Sequence, residues 1–265
     1  MVNSSVTIYT LPCLSDNYAY VVHNSASGTA AVVDVPEAGP LVDKISELNV
    51  PVTDIFLTHH HSDHVDGLAD LQAALTNSLS QAPAQVIGAR ADAHRLPALD
   101  RSVGPGDCLT LCGIEGDVYD VSGHTLGHLA LHLPSARAVF TADSLMAMGC
   151  GRLFEGSAAQ MWHSLQQLRL LPQDTWVYSG HEYTTSNMAF TQSLGEDNPA
   201  IAARAAQITK DRAAGRPTVP SPLALEMQTN PFMRADDPAL TAAMGMPESN
   251  AAQVFAEIRT RKDKF

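Results

Sequence analysis

Seven residues constrain this chain more than any other stretch: Thr58-His59-His60-His61-Ser62-Asp63-His64, which reads T-H-x-H-x-D-H. They follow a short apolar run, Ile55-Phe56-Leu57, with the character of a buried strand. Beyond them, apolar side chains at 65, 68, 71, 75 and 79 recur at helical spacing and predict one helix over 65–79. The stretch therefore sits on a strand-to-helix turn, where open α/β sheets present ligands. His59 and His61 share one side of an extended backbone, and His60 points to the other. Asp63 and His64 follow where the chain turns toward the helix. One metal needs three or four protein ligands. Four gathered in this stretch, with more expected elsewhere, point to two metals. The plain alternative is a solvated histidine loop ahead of a helix capped by Asp63.

The same pattern recurs along the chain. His124 ends a strand in Ser122-Gly123-His124-Thr125-Leu126-Gly127-His128, with a glycine before it that allows close backbone approach. Asp143 stands at the end of a strand over 137–141, and His181 follows a strand over 175–179. A buried Asp at a strand end is usually hydrogen-bonded structure, so any one of these is weak. Four strand-end ligand positions at the same end of apolar runs converge on one side of a sheet. Asp34 ends the strand 29–33 and is read equally as a partner for a ligand histidine or as a turn cap. His128 and His132 are expected to be structural or to support ligands, and His94 to be a surface residue.

The bulk numbers exclude several classes. The 265 residues fit one large domain or two unequal ones, and 45% hydrophobic residues suffice for a sizeable core. A net charge of −12 argues against a nucleic-acid or membrane-surface binder. Residues 1–150 carry 5 Lys+Arg and 16 Asp+Glu, net −11; residues 151–265 carry 11 and 12, net −1. An anionic substrate is better received by the second part. No apolar run approaches the roughly 20 residues of a membrane span, and Met1-Val2-Asn3-Ser4-Ser5 does not open a signal peptide. Cys13, Cys108, Cys112 and Cys150 form no C-x-x-C pair and read as reduced, buried thiols of a cytoplasmic protein. Beyond His181 strand patterns stop. Alanine-rich helical patterns follow at about 184–195, 199–214 and 249–262, separated by proline-bearing loops.

The motif with its later His, Asp and His resembles the metallo-β-lactamase superfamily. Gly149-Cys150-Gly151-Arg152-Leu153-Phe154-Glu155-Gly156 and Gly180-His181-Glu182-Tyr183-Thr184 are similar to motifs of its glyoxalase II (hydroxyacylglutathione hydrolase) family, as are Asn230-Pro231-Phe232-Met233-Arg234 and the basic C-terminus. The resemblance covers nearly the whole chain. It implies an αββα sandwich over residues 1–181 and a small all-helical glutathione-binding domain over 182–265. It implies a binuclear site: His59, His61 and His124 on one metal, Asp63, His64 and His181 on the other, and Asp143 bridging, with Asp63 and Asp143 at the catalytic centre. The donors are imidazole and carboxylate only; zinc is the leading expectation, and iron or manganese suit the same set. The reaction implied is hydrolysis of S-D-lactoylglutathione to D-lactate and glutathione, the second step of methylglyoxal detoxification, by a hydroxide held between the metals. Arg152, Phe154, Tyr183, Arg259 and Lys262 match the family's substrate-binding positions. Arg152 stands where family members often have Lys, and Phe154 where they have Tyr, so a hydroxyl contact is missing. A monomer acting on a small molecule is expected. The alternatives are another hydrolase of the superfamily or an iron persulfide dioxygenase, which would leave Asp63 and His181 without a use.

Overall fold

The computed structural model describes residues 5–77, 79 and 81–265. The reading of the N-terminus therefore lies almost wholly outside the described residues, and so does position 78 of the expected 65–79 helix. The described residues form two compact units. One comprises the residues up to Asp120 with Gly127–Phe140, the other Val121–Leu126 with Thr141–Phe265.

In the first unit, β1 (Val6–Cys13), β2 (Asn17–Asn24) and β3 (Thr29–Val33) pair antiparallel. α1 (Gly39–Leu48) then crosses to β4 (Val52–Phe56), which joins β3 in parallel. Pro40 in its first turn and left-handed Asn49 at its end bound α1. α2 (Ser62–Val65) and α3 (Leu68–Asn77) lead to β5 (Gln85–Ala89) and β6 (Arg101–Val103), both parallel additions. The six-stranded sheet runs β1-β2-β3-β4-β5-β6. Ile55, Phe56, Val32 and Val33 are wholly or almost wholly buried, as parallel strands covered on both faces must be.

The single helix expected over 65–79 is two. Gly67 is the cause: its N–H donates to the Val35 carbonyl at 3.0 Å, and a Cβ there would lie 2.6 Å from Glu37 Cα. That backbone contact takes residues 66 and 67 out of the helix and leaves α2 as a single turn.

A second six-stranded sheet has the order β14-β13-β10-β9-β8-β7. Its strands are β7 (Cys108–Leu111), β8 (Ile114–Asp120), β9 (Leu129–Leu133), β10 (Ala138–Ala142), β13 (Trp176–Ser179) and β14 (Ser221–Pro222). Between β10 and β13 come a small hairpin, β11 (Leu145–Met146) with β12 (Gly149–Cys150), and α4 (Ala158–Leu168). Ser157 and Gln160 form a capping box at the start of α4. The remaining elements are helical: α5 (Thr184–Ser193), α6 (Pro199–Ala213), α7 (Leu223–Thr229), α8 (Pro238–Ala243) and α9 (Ala251–Lys264). Two sheets with helices, then a helical region, make an αββα sandwich with a C-terminal helical region. Three cysteines are buried as expected, but Cys108 is exposed, because alternation along β7 turns it to the solvent side. No helix among the described residues is long and apolar enough to cross a membrane.

Candidate metal centre

The turn between β4 and α2 delivers four ligands because the strand ends in a fixed place. Asp34, just past β3 with a left-handed φ of 57°, provides the anchor. Its Oδ1 accepts the Thr58 N–H at 2.9 Å, and its Oδ2 accepts the Thr58 hydroxyl and the His64 Nδ1–H, both at 2.8 Å. With the Thr58 hydroxyl donating to Asp34, its oxygen accepts from His59 Nδ1 at 3.0 Å. Asp34 is thus the histidine partner rather than a cap. Asn17, which the sequence does not single out, donates through Nδ2 to Asp63 Oδ2 and to its carbonyl, both at 3.0 Å. His60 turns away to buried Asp92 at 3.2 Å. His128 stacks on His59, with centroids 4.5 Å apart and planes 12° apart, so its place is structural. His132 is buried on β9, and His94 is exposed.

Three further ligands follow later in the chain. Asp143 Oδ2 is 3.3 Å from Nε2 of both His124 and His181. His124 Nδ1–H donates to the Arg152 carbonyl at 2.8 Å. The chain between them passes at very close range. A Cβ on Gly151 would lie 2.0 Å from the Asp143 carbonyl oxygen and 2.9 Å from His124 Nδ1. Only glycine fits there, which gives a physical reason for the G-C-G pattern.

The ligand atoms fall into three groups, each with its members within 4.8 Å of one another: His59, His61, His124; Asp63, His64, His181; and His59, His64, Asp143. Each of the seven residues that the resemblance assigns to metals appears in one of these groups. The donor set fits divalent cations. For His59, His64 and His124, Nδ1 is committed to a protein partner, which fixes the tautomer and reserves Nε2 for a metal. Two groups that share neighbours through Asp143 describe a binuclear site for zinc, iron or manganese.

The five residues matched to substrate binding occupy different settings. Arg152 is exposed. Phe154 is 62% exposed, its ring edge-on to His124 with centroids 5.2 Å apart. Tyr183 is 40% exposed and stacks on His181 at 4.6 Å. Lys262 donates to the Ser186 carbonyl and hydroxyl at 3.2 and 3.0 Å. Burial, with repulsion from Arg259 and Arg152, holds the pKa of its ammonium down to about 8. Arg259 is only 5% exposed. It donates to the Cys150 carbonyl at 3.0 Å and pairs with Asp263. The Cys150 thiol is pushed up to about 11 by burial, so it is not a nucleophile at neutral pH.

Comparison with known proteins agrees with this geometry. The family model described as metallo-beta-lactamase superfamily matches residues 15–181, and that described as hydroxyacylglutathione hydrolase C-terminus matches 182–265. A hydroxyacylglutathione hydrolase of Ruegeria pomeroyi is 55% identical over 258 residues, covering 97% of this chain and 98% of that protein. One from Roseobacter denitrificans is 53% identical over 260 residues, covering 98% and 99%. Among solved structures, ETHE1 from Myxococcus xanthus superposes with a TM-score of 0.63 at 23% identity, covering 96% of this chain and 90% of that one. That likeness concerns the fold alone.

Proposed function

The chain belongs to the hydroxyacylglutathione hydrolase family of the metallo-β-lactamase superfamily, and from that membership we propose that it hydrolyses S-D-lactoylglutathione, and related 2-hydroxyacylglutathiones, to the hydroxy acid and glutathione. The observation that carries the reading is the convergence of seven imidazole and carboxylate ligands in overlapping groups. Bound divalent metals supply Lewis acidity toward the thioester carbonyl and lower the pKa of a water.

The chain's own residues do the rest. His59, His61 and His124 would hold one metal and Asp63, His64 and His181 the other, with Asp143 placed to serve either. Asp34, Thr58 and the Arg152 carbonyl keep three of the imidazoles in the Nδ1–H tautomer. Thiolate is a good leaving group, so no protein nucleophile is needed, and the chain has no G-x-S-x-G elbow. Arg152 and Lys262 receive the two carboxylates of glutathione, Arg259 supports them, and Phe154 and Tyr183 offer ring faces to the substrate. Residues 1–181 carry the chemistry and 182–265 the glutathione recognition, a division supported by where the two family models meet. The protein works as a cytoplasmic monomer on a small molecule, without nucleic acid or membrane.

The test is turnover of S-D-lactoylglutathione, followed by loss of the thioester, on protein of measured metal content. The rate is expected to rise with metal up to two equivalents and to vanish on chelation. No turnover by fully loaded protein would refute the reading.

A further inference from the structure

We propose that Thr218 is a positioning residue for Tyr183: it grips the residues on both sides of that tyrosine and so keeps its ring stacked over the ligand His181. The proposal rests on the reading above that Tyr183 offers its ring to the substrate. Thr218 lies between α6 and β14, 34 and 36 residues along the chain from the two partners it grips.

Glu182 gives both carboxylate oxygens to Thr218. Oε2 accepts the Thr218 N–H at 2.8 Å, and Oε1 accepts its hydroxyl at 2.6 Å. The Thr218 hydroxyl oxygen is also 2.6 Å from the Thr184 hydroxyl. A hydroxyl carries one proton and a carboxylate accepts, so Thr218 donates to Glu182 and Thr184 donates to Thr218. The Glu182 side chain is 8% exposed and Thr184 is buried, so water is a poor substitute for either bond. Thr218 is itself fixed from the end of α6. Arg212 Nη1 donates to the Arg216 carbonyl at 2.8 Å and to Glu182 Oε2 at 3.3 Å, and Arg216 pairs with Asp211.

Tyr183 stands between the two gripped residues. It is the N-cap of α5, where Ser, Thr, Asp or Asn is usual, and it makes no side-chain capping bond. Its carbonyl accepts the Asn187 N–H at 2.9 Å, which ties its backbone to the first turn of α5. The ring is left over His181, with centroids 4.6 Å apart and planes 7° apart. With residues 182 and 184 pinned to one threonine, the main chain at Tyr183 has little freedom to swing that ring away.

The test uses full-length Thr218→Val, which keeps the size and the N–H but removes the hydroxyl, and Thr218→Ser, which keeps both donors. Tyr183→Ala is made alone and combined with Thr218→Val. In the metal-free protein, 1H NMR reads the His181 ring protons, which a stacked phenol ring moves upfield. kcat and KM for S-D-lactoylglutathione are read on protein of measured metal content. Thr218→Val is expected to move the His181 protons downfield, toward their position in Tyr183→Ala. It should raise KM roughly three- to tenfold and leave kcat within about twofold. Thr218→Ser should hold both readouts near wild type. In the Tyr183→Ala background, Thr218→Val should add nothing to KM, because both changes act through one ring. If Thr218→Val does not give a cooperative melt, Glu182→Gln, which keeps the side-chain shape but only one acceptor oxygen, takes its place with the same expectations. Wild-type His181 shifts in Thr218→Val, or a KM rise as large in the Tyr183→Ala background as in wild type, would overturn the proposal and leave Thr218 a purely structural link. If the wild type hydrolyses no glutathione thioester, the function reading falls, while the ring shifts still decide whether Thr218 holds Tyr183.

Discussion

The turn 58–64 and the loop 145–156 both serve metal ligands, and they are held in opposite ways. In the turn, one buried carboxylate does most of the holding: Asp34 takes the Thr58 N–H, the Thr58 hydroxyl and His64 directly. In the loop, the group that accepts from His124 Nδ1 is a main-chain carbonyl, in a segment held by a network that includes fully buried Glu226 and its partners Arg204, Ser221 and Asn230. The consequence is a different tolerance to substitution. Support in the turn is lost with one side chain. Support in the loop does not depend on which side chain stands at 152, so Arg152, which is exposed, is free for another task.

The largest effect should come where neither kind of support can compensate. Asp143 Oδ2 lies 3.3 Å from both His124 and His181. Asp143→Ala is expected to reduce metal content below two per chain and bring turnover to background; elemental analysis with a thioester assay checks this, and full activity would remove Asp143 from the centre. Next comes the contrast itself. Asp34→Ala should weaken metal binding by about 10–100-fold. It should also destabilise the fold by about 1–3 kcal/mol, since it strands the Thr58 and His64 donors in a buried setting. Arg152→Ala should leave metal affinity unchanged and raise KM. Equal losses of metal affinity in the two variants would erase the distinction between the regions.

The contrast also explains what is legible in the sequence. The ligands in the turn are a contiguous motif on a strand end, and their chemistry is readable from residue type and spacing. Asp143 and His181 are readable because each closely follows a strand, β10 and β13; His124, expected at a strand end, instead lies in the turn beyond Asp120, where β8 stops. Asp34 is ambiguous in the sequence because its partners are 24 and 30 residues away. The support for the loop leaves no local trace: Glu226 meets Met148 across 78 residues, and Arg259 meets Cys150 across 109. Nor can spacing reveal that Gly67 is pinned to Val35, which splits the expected helix. α4 does carry a local signal, Ser157-x-x-Gln160 ahead of Met161, Leu165 and Leu168, which a motif-led reading does not use.

A smaller effect distinguishes Lys262 from its neighbours in the helical region. Its lowered pKa, about 8, puts a charge change within reach of ordinary assays. The ammonium that a carboxylate needs is present below that pH and is lost as pH rises through it. KM should therefore stay low up to about pH 8 and climb above it, with kcat following its own profile. Lys262→Arg should flatten the climb, since guanidinium stays charged. Lys262→Ala should show a raised KM throughout, by about tenfold or less, because a charge-assisted contact of roughly 1.5–3 kcal/mol is weakened by partial exposure. A KM that rises equally above that pH in wild type and Lys262→Arg would assign the titration to another group.

The smallest effect is expected at Phe154, where the loop meets solvent. Its ring stands edge-on to His124 and is 62% exposed, so it touches the ligand region without being locked into a core. Phe154→Tyr adds one hydroxyl to a ring that is largely exposed. If the hydroxyl reaches glutathione, it gains one hydrogen bond, worth about 0.5–1.5 kcal/mol net. Such a contact forms equally in the bound substrate and in the transition state. It should therefore lower KM several-fold at most and leave kcat and zinc affinity near wild type. Steady-state kinetics beside a zinc titration reads all three. A higher KM would mean that the phenyl ring meets an apolar part of the substrate, where a hydroxyl must be desolvated. A changed zinc affinity would mean that the ring's edge contact with His124 matters to the ligand, giving the loop a side-chain hold on His124 as well as a main-chain one.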